Sequence, residues 1–351
     1  MCIYLGEAKG LHYDSADHII PAGLGGKIKL PLDYVSREFN NLSSKYEMAL
    51  MRSSILGLPR QILGPGKRGS LNPNKATRSS INVFRQPDNG EFSLGYIKMG
   101  KPFEIPHIIL NSQTGEFKVS ISKEASDFEL QVFKQRLTMF ETLRVKIIAF
   151  PDLEPNIFLL GINPDNPGEC YIACLDGKTH PFNSKALTAI SNTFENRDTF
   201  SGSSSYKIET HQNAVFDDNY YKCCAKIALN CLAYLNDKRF VLQEHFTPLK
   251  NWIVNGGDNK FVKLSPNHNT SMHTLFPEDS HQVIITKTEI GLIADVCFYN
   301  HFHNLVLLST TFSDPFPING FICDWKEKKE FDYYNYLIEY KNGTNWNSSD
   351  S

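Results

Sequence analysis

The chain has no apolar run near the roughly 18 residues that a membrane helix needs. Its best runs, 145–150 and 157–162, are strand-length. The first residues hold no basic start leading into an apolar core, so no secretory signal is expected. Cysteine is scarce, eight in 351 residues, and never spaced Cys-x-x-Cys. A disulfide framework is therefore not expected, and a reducing cytoplasm fits. There is no Gly-x-Ser-x-Gly elbow, no dinucleotide-binding glycine fingerprint and no internal repeat. With 41% hydrophobic and 21% charged residues, the composition excludes wholesale disorder and fibrous repeats. The length suits two or three domains.

Net charge is −2, so the whole chain is not a basic nucleic-acid binder. The distribution is uneven. Residues 1–80 hold 11 Lys/Arg against 6 Asp/Glu, a net of +5, and the rest holds 25 against 32, a net of −7. A basic segment on a mildly acidic body suggests one part that faces a polyanion.

The pattern of elements predicts an α+β chain in three regions, 1–80, 81–205 and 206–351. Residues 1–32 read as a hairpin and loop. Asp33–Arg52 reads as a helix with Asp33 as N-cap, its apolar residues recurring at three and four. Residues 60–80 read as an extended basic loop broken by Gly and Pro. The middle region is β-rich, with strands at Ile81–Arg85, Phe92–Met99, His107–Asn111, Glu116–Ser122, Val145–Phe150, Ile157–Ile162 and Cys170–Leu175, and a helix at Glu124–Leu143. Ser-Gly-Ser-Ser-Ser at 201–205 reads as a linker or mobile loop. Asp217–Leu235 is the strongest helix, and a second is expected at Phe246–Val254. Runs at 282–286, 290–298 and 303–310 suggest a closing antiparallel sheet, and the last twelve residues a frayed tail.

One stretch carries chemistry: Ser15-Ala16-Asp17-His18-Ile19-Ile20-Pro21-Ala22-Gly23-Leu24-Gly25-Gly26, followed by Val35-Ser36-Arg37-Glu38-Phe39-Asn40-Asn41. Breaking a phosphodiester requires an activated water and a positive charge on the leaving oxygen. Histidine can take a proton from water near neutral pH, and carboxylate and amide oxygens hold a hard divalent cation.

These residues resemble the HNH, or ββα-metal, endonuclease family. The branch in question is written Glu/Asp-His-Ile-Ile-Pro, then Leu-Gly-Gly, then Cys-x-x-Cys-Asn. Asp17–Pro21 and Leu24–Gly26 match it, and the match covers about 50 residues. The resemblance implies an N-terminal ββα-metal unit carrying a larger mixed α+β region. It implies His18 as general base, Asp17 and Asn40 as ligands of one Mg²⁺ or Mn²⁺, and metal-dependent cleavage of DNA, in restriction or phage defence. Glu47, seven residues after Asn40 on the same helical face, either serves the ion or is a solvated carboxylate.

Two departures stand out. Many members hold a structural zinc with four cysteines. Here Cys2 is followed by Leu5, Ser36 and Phe39 at the other three positions, so no zinc is expected and Leu5 against Phe39 should replace it. The middle Asn that orients the base has no counterpart between Gly26 and Val35, and a backbone carbonyl near Leu30 is the expected substitute. The alternatives are a catalytically degenerate HNH fold that binds a partner, and an RNase using the same site.

The loop Gly64-Pro65-Gly66-Lys67-Arg68-Gly69-Ser70, flanked by Arg60, Lys75 and Arg78, reads as a clamp for nucleic-acid phosphates through its cations and backbone N–H groups, against a plain solvated loop. DNA is the expected partner, with RNA the alternative; no membrane is expected, and a protein partner or a second copy is left open. His301 and His303, alternating along a predicted strand, are read as structural. Cys223, Cys224 and Cys231 are read as small buried hydrophobes, and Tyr220-Tyr221 and Tyr333-Tyr334 as core or interface. Residues 206–310 weakly resemble the C-terminal portions attached to this nuclease branch, through Cys224-Ala225-Lys226-Ile227-Ala228-Leu229-Asn230 and Trp252–Gly256, with no chemistry attached.

Overall fold

The computed structural model describes residues 1–85, 90–121, 127–163, 166–193, 216–265 and 275–346. The chain is mixed α+β and divides into two compact units. One joins Met1–Thr77 to Asn213–Ser351, and the other is Arg78–Gln212. The expected three regions thus become two. Their borders fall near the expected ones, but the first and third regions share one apolar core.

The N-terminal segment is irregular. The expected hairpin shrinks to isolated bridges, Cys2 with Gly6 and His18 with Lys29. Two backbone bonds flank the second bridge, Ile19 N–H to Ile28 C=O at 3.1 Å and Leu30 N–H to Asp17 C=O at 2.8 Å. Two strands of a ββα unit are therefore not formed as regular elements. The first helix, α1 (Arg37–Met48), starts four residues later than expected. Asp33 is spent on Lys238 at 2.7 Å, and Ser36 caps the helix by accepting from Phe39 N–H. The helix widens to a π turn over Ala49–Ser53, and α2 (Gly57–Ile62) follows.

Arg78–Gln212 has its own elements. A three-stranded antiparallel sheet comprises β1 (Asn82–Arg85), β2 (Phe92–Lys98) and β3 (Lys101–Glu104). A five-stranded sheet follows, from β4 (His107–Asn111), β5 (Phe117–Ser120), β6 (Arg144–Ala149), β7 (Ile157–Ile162) and β8 (Glu169–Cys174). Its order is β5-β4-β7-β8-β6, with only β6 and β8 parallel. The helices are α3 (Asp127–Thr138) and α4 (Ser184–Thr193). The expected linker at 201–205 lies outside the described residues.

The chain then returns to the first unit with α5 (Asp218–Leu235), capped by Asp217. α6 (Lys238–Leu242) and α7 (Thr247–Asn255) follow. An antiparallel sheet runs in the order β14-β13-β10-β11-β12-β9. Its strands are β9 (Val262–Leu264), β10 (His281–Thr288), β11 (Gly291–Phe298), β12 (Phe302–Ser309), β13 (Asn319–Asp324) and β14 (Lys329–Asp332). A last helix, α8 (Tyr333–Trp346), takes in residues 340–346 of the tail expected to fray; residues 347–351 lie outside the described ones. Among the described residues no helix is long and apolar enough to cross a membrane.

The pattern of α5 suggested a single apolar face. The helix is in fact buried on nearly every side, including Lys222, Lys226 and Asn230. It lies in the core that also holds Phe39, Tyr46 and Leu50 of the N-terminal segment. The eight cysteines are free and buried, and burial pushes the thiols of Cys223, Cys224 and Cys231 up. Tyr220 is buried, its hydroxyl donating to Asn304 Oδ1 at 2.8 Å.

Candidate functional site

The segment before Asp17 is fastened along α1. Arg37 N–H donates to His12 C=O at 2.8 Å, the Arg37 guanidinium to Asp14 at 2.8 Å, and Asn40 Nδ2 to Ser15 Oγ at 3.1 Å. Asn40 is thereby held two residues from Asp17. Its Oδ1 is buried and accepts no hydrogen bond.

Asp17 is 7% exposed and saturated with donors. Its Oδ1 accepts from His18 N–H at 3.0 Å and from Lys226 Nζ at 3.0 Å. Its Oδ2 accepts from Asn230 Nδ2 at 2.9 Å and lies 3.0 Å from the same ammonium. Lys226 also donates to Glu47 Oε1 at 2.7 Å. Asp17 and Glu47 therefore meet at one point, and the 2%-exposed Lys226 ammonium fills it. Burial alone would lower the Lys226 pKa; Asp17 and Glu47 oppose this and win, so the net shift is upward and the amine stays charged. Asn230 does more: its Nδ2 also reaches His18 C=O at 2.9 Å, and its Oδ1 accepts from Tyr4 hydroxyl at 2.6 Å.

The His18 imidazole is only partly buried and makes no hydrogen bond with another described residue. The carbonyl expected to orient it near Leu30 is not bonded to the ring; Leu30 meets this segment through its N–H, which donates to Asp17 C=O. Burial first, then Lys29, lowers the His18 pKa, while Asp17 and Glu47 pull the other way. The net direction favours the neutral, proton-accepting ring at neutral pH.

Where the resemblance would place a zinc, Cys2 Sγ accepts from Ser36 N–H at 3.4 Å. Tyr4, not Leu5, stacks on Phe39, with centroids 3.8 Å apart. Leu5 only joins the edge of the core.

After His18 the chain turns through Ala22–Leu24 into the glycine pair. A Cβ on Gly26 would stand 1.8 Å from Ile20 C=O, which is why no side chain fits there. The basic loop packs on this turn. A Cβ on Gly69, at φ +71°, would meet Ala22 O and Gly25 Cα at 3.0 Å. Arg60 ties the two together: its Nε donates to Gly23 C=O at 2.8 Å and its Nη2 to Gly66 C=O at 3.4 Å. Arg60 is thus buried and spent on the fold rather than offered to phosphate. Arg78 belongs to the other unit, where it donates to Asn163 Oδ1 at 2.9 Å and lies over the Tyr96 ring. The N–H groups of Gly66, Gly69 and Ser70 are bonded inside the loop, so they are not offered either. Lys67, Arg68 and Lys75 are exposed.

A hard divalent ion asks for oxygen donors, several of them anionic. Two carboxylates gathered at one point and the partnerless Asn40 Oδ1 suit that chemistry. The point itself, however, carries an ammonium. Among the described residues no group of three or more His, Cys, Asp and Glu is arranged to hold a metal ion.

The histidine pair further along does not form a shared face. His301 sits in the turn between β11 and β12, whereas His303 lies in β12 with Nδ1 3.0 Å from Asp295 Oδ2 and Nε2 3.5 Å from Cys297 Sγ.

Lys226 and Asn230 are the site residues that sequence reasoning missed. The available signal was three polar residues, Lys222, Lys226 and Asn230, spaced by four along a helix otherwise free of charge beyond its first turn. No family model, curated protein or solved structure matches the chain.

Proposed function

We propose that this chain is an HNH-type endonuclease that hydrolyses DNA phosphodiester bonds. The observation that carries the reading is a part-exposed imidazole, without a partner among the described residues, next in sequence to a fully bonded carboxylate and one turn before the glycine pair against which the basic loop packs. His18 takes a proton from the attacking water. The water oxygen bonds to phosphorus as the bond to the leaving sugar oxygen breaks. The neutral ring that His18 favours is the form this role needs. Asn230 steadies the reacting segment by holding Asp17 and the His18 carbonyl together. A Mg²⁺ or Mn²⁺ ion held by Asp17, Asn40 and Glu47 would supply charge to the leaving oxygen. Lys67, Arg68 and Lys75 seat the phosphate backbone without reading bases. A cytoplasmic role in restriction or phage defence suits such an activity.

Plasmid nicking in Mg²⁺ or Mn²⁺, comparing wild type with His18→Ala, tests this. Wild type should nick and His18→Ala should lose at least a hundredfold. Equal rates would remove His18 as the base. Parallel digestion of duplex DNA, single-stranded DNA and RNA separates the DNA reading from the RNase reading. One observation favours a second reading, a non-catalytic binding protein: Lys226 already neutralises part of the carboxylate pair. Folded wild type that binds DNA but never nicks it would select that alternative.

A further inference from the structure

The endonuclease reading, on which this inference rests, needs the His18 imidazole held in one place. The segment that follows the glycine turn pairs with the His18 segment through one isolated bridge, His18 with Lys29. So short a pairing does not hold its own register in water. The hairpin of β13 and β14 supplies what it lacks. Glu330, in β14, accepts from Lys27 N–H at 2.9 Å and from Ile28 N–H at 2.7 Å, both on Oε2. Ile28 C=O in turn accepts Ile19 N–H at 3.1 Å, one residue from His18. Ile28 is thus held at its N–H by Glu330 and at its C=O by Ile19. Lys27 Nζ donates to Lys328 C=O at 2.9 Å, and Trp325 lies so close to Gly25 that a Cβ there would stand 2.4 Å from the Trp325 Cβ. The other Glu330 oxygen, Oε1, is buried and accepts no hydrogen bond. The cross-strand neighbour of Glu330 is Cys323, part of the apolar core. A half-bonded carboxylate beside an apolar core costs stability, and an apolar residue would suit β14 better. What the carboxylate adds is a grip on two backbone N–H groups, which no apolar side chain offers.

We propose that Glu330 is a positioning residue for His18: by holding Lys27 and Ile28 it fixes the segment that fixes Ile19, and so sets where the imidazole stands toward the attacking water. Glu330 touches neither substrate nor the reacting atoms. It acts through backbone, across 303 positions of chain.

The test is steady-state plasmid nicking by the full chain, with amide hydrogen exchange on the same samples. Glu330→Ala should lower kcat about tenfold or more while KM stays within about threefold, since a displaced base slows the chemical step and leaves the phosphate contacts of the basic loop in place. Glu330→Gln keeps an oxygen acceptor of the same reach and should recover most of the lost kcat. Exchange at the Ile19 and Ile28 amides should quicken in the alanine variant, while exchange at Ala294 and Val296 in β11 should not. Unchanged kcat in a folded Glu330→Ala would overturn the proposal, as would a loss carried by KM alone or a glutamine variant no better than the alanine one. Glu330→Asp, one methylene short of both donors, covers the case in which the alanine variant does not fold. The exchange measurement stands apart from activity. Faster exchange at Ile19 in Glu330→Ala, restored by glutamine, in a chain that never nicks DNA would keep the grip on the His18 segment and end the nuclease reading. Nicking with kcat unchanged in Glu330→Ala would do the reverse.

Discussion

Tyr4 shows how much one hydroxyl holds. Its ring stacks on Phe39, while its oxygen donates to Asn230 Oδ1 at 2.6 Å, within the network that fixes Asp17. Tyr4→Phe keeps the stack and leaves a buried amide oxygen unpaired. A loss of about 1–3 kcal/mol is expected in urea unfolding; a change below about 0.3 kcal/mol, well under any lost buried bond, would mean the network does not bear on stability. A second test concerns the loop cations. Lys67 and Arg68 are exposed and spent on nothing else that the structure describes. Replacing both with Ala should reduce the slope of log affinity against log salt for duplex DNA by about 2. An unchanged slope would take them out of the phosphate contact. The basic residues also divide in a way the sequence could not reveal. Arg60 reads like Lys67 in a linear string, yet it is buried against two carbonyls. Charge is legible from a sequence; whether the charge is already engaged is decided by packing. The Asp17-His18 pair was legible because its two members are neighbours. Lys226 was not, because it approaches Asp17 across 209 positions of chain.

Elements with strong local patterns formed where the sequence placed them. His107–Asn111 and Ile157–Ile162 appear with the expected bounds, and Asp217 caps α5 as its position suggests. Boundaries moved where a distant partner claimed a residue, as Lys238 claims Asp33 and shifts the start of α1. The turn after His18 depends on its glycines for a reason of space. Gly26→Ala drives a Cβ into Ile20 C=O, which is backbone and cannot swing away. A loss of about 3 kcal/mol is expected in the unfolding free energy, with the turn and the loop above it displaced. At the start of β10, His281 is fully buried, accepts Tyr299 N–H at 3.1 Å, and has its pKa pushed down to about 3 by burial. A histidine depressed in the fold binds its proton in the unfolded chain first. Its contribution is therefore present above about pH 6.5 and is lost as pH falls toward 3. Between pH 6.5 and 4.5 the loss from this residue should be about 2 kcal/mol. His281→Asn should lose about 2 kcal/mol less than wild type over that pH range, and an identical loss in urea titrations would move the source of acid sensitivity elsewhere.

The motif that resembles a self-contained nuclease module is not built as one. Phe39, Tyr46 and Leu50 belong to a core whose larger part comes from α5, α7 and the six-stranded sheet. Tyr46 hydroxyl donates to Ile253 C=O at 2.8 Å, and Tyr4 and Asp17 take their partners from Asn230 and Lys226. The N-terminal segment has isolated bridges in place of strands, so it lacks the backbone pairing that would let it stand alone. Its sequence could not show this, because the apolar spacing of α1 is the same whether its partner is a short hairpin or a helix nearly two hundred residues later. The consequence is an expected failure and an expected rescue. Residues 1–80 made alone should show no cooperative unfolding transition, since burial of their apolar residues depends on chain they no longer have. Mixed with a separately made 213–351, they should regain a single transition, protection of Asp17 and His18 amides from exchange, and the DNA nicking proposed for the whole chain. A fragment 1–80 that melts cooperatively on its own would mean the site is assembled locally. Lys226 and Asn230 would then be additions to a finished module instead of parts of its foundation.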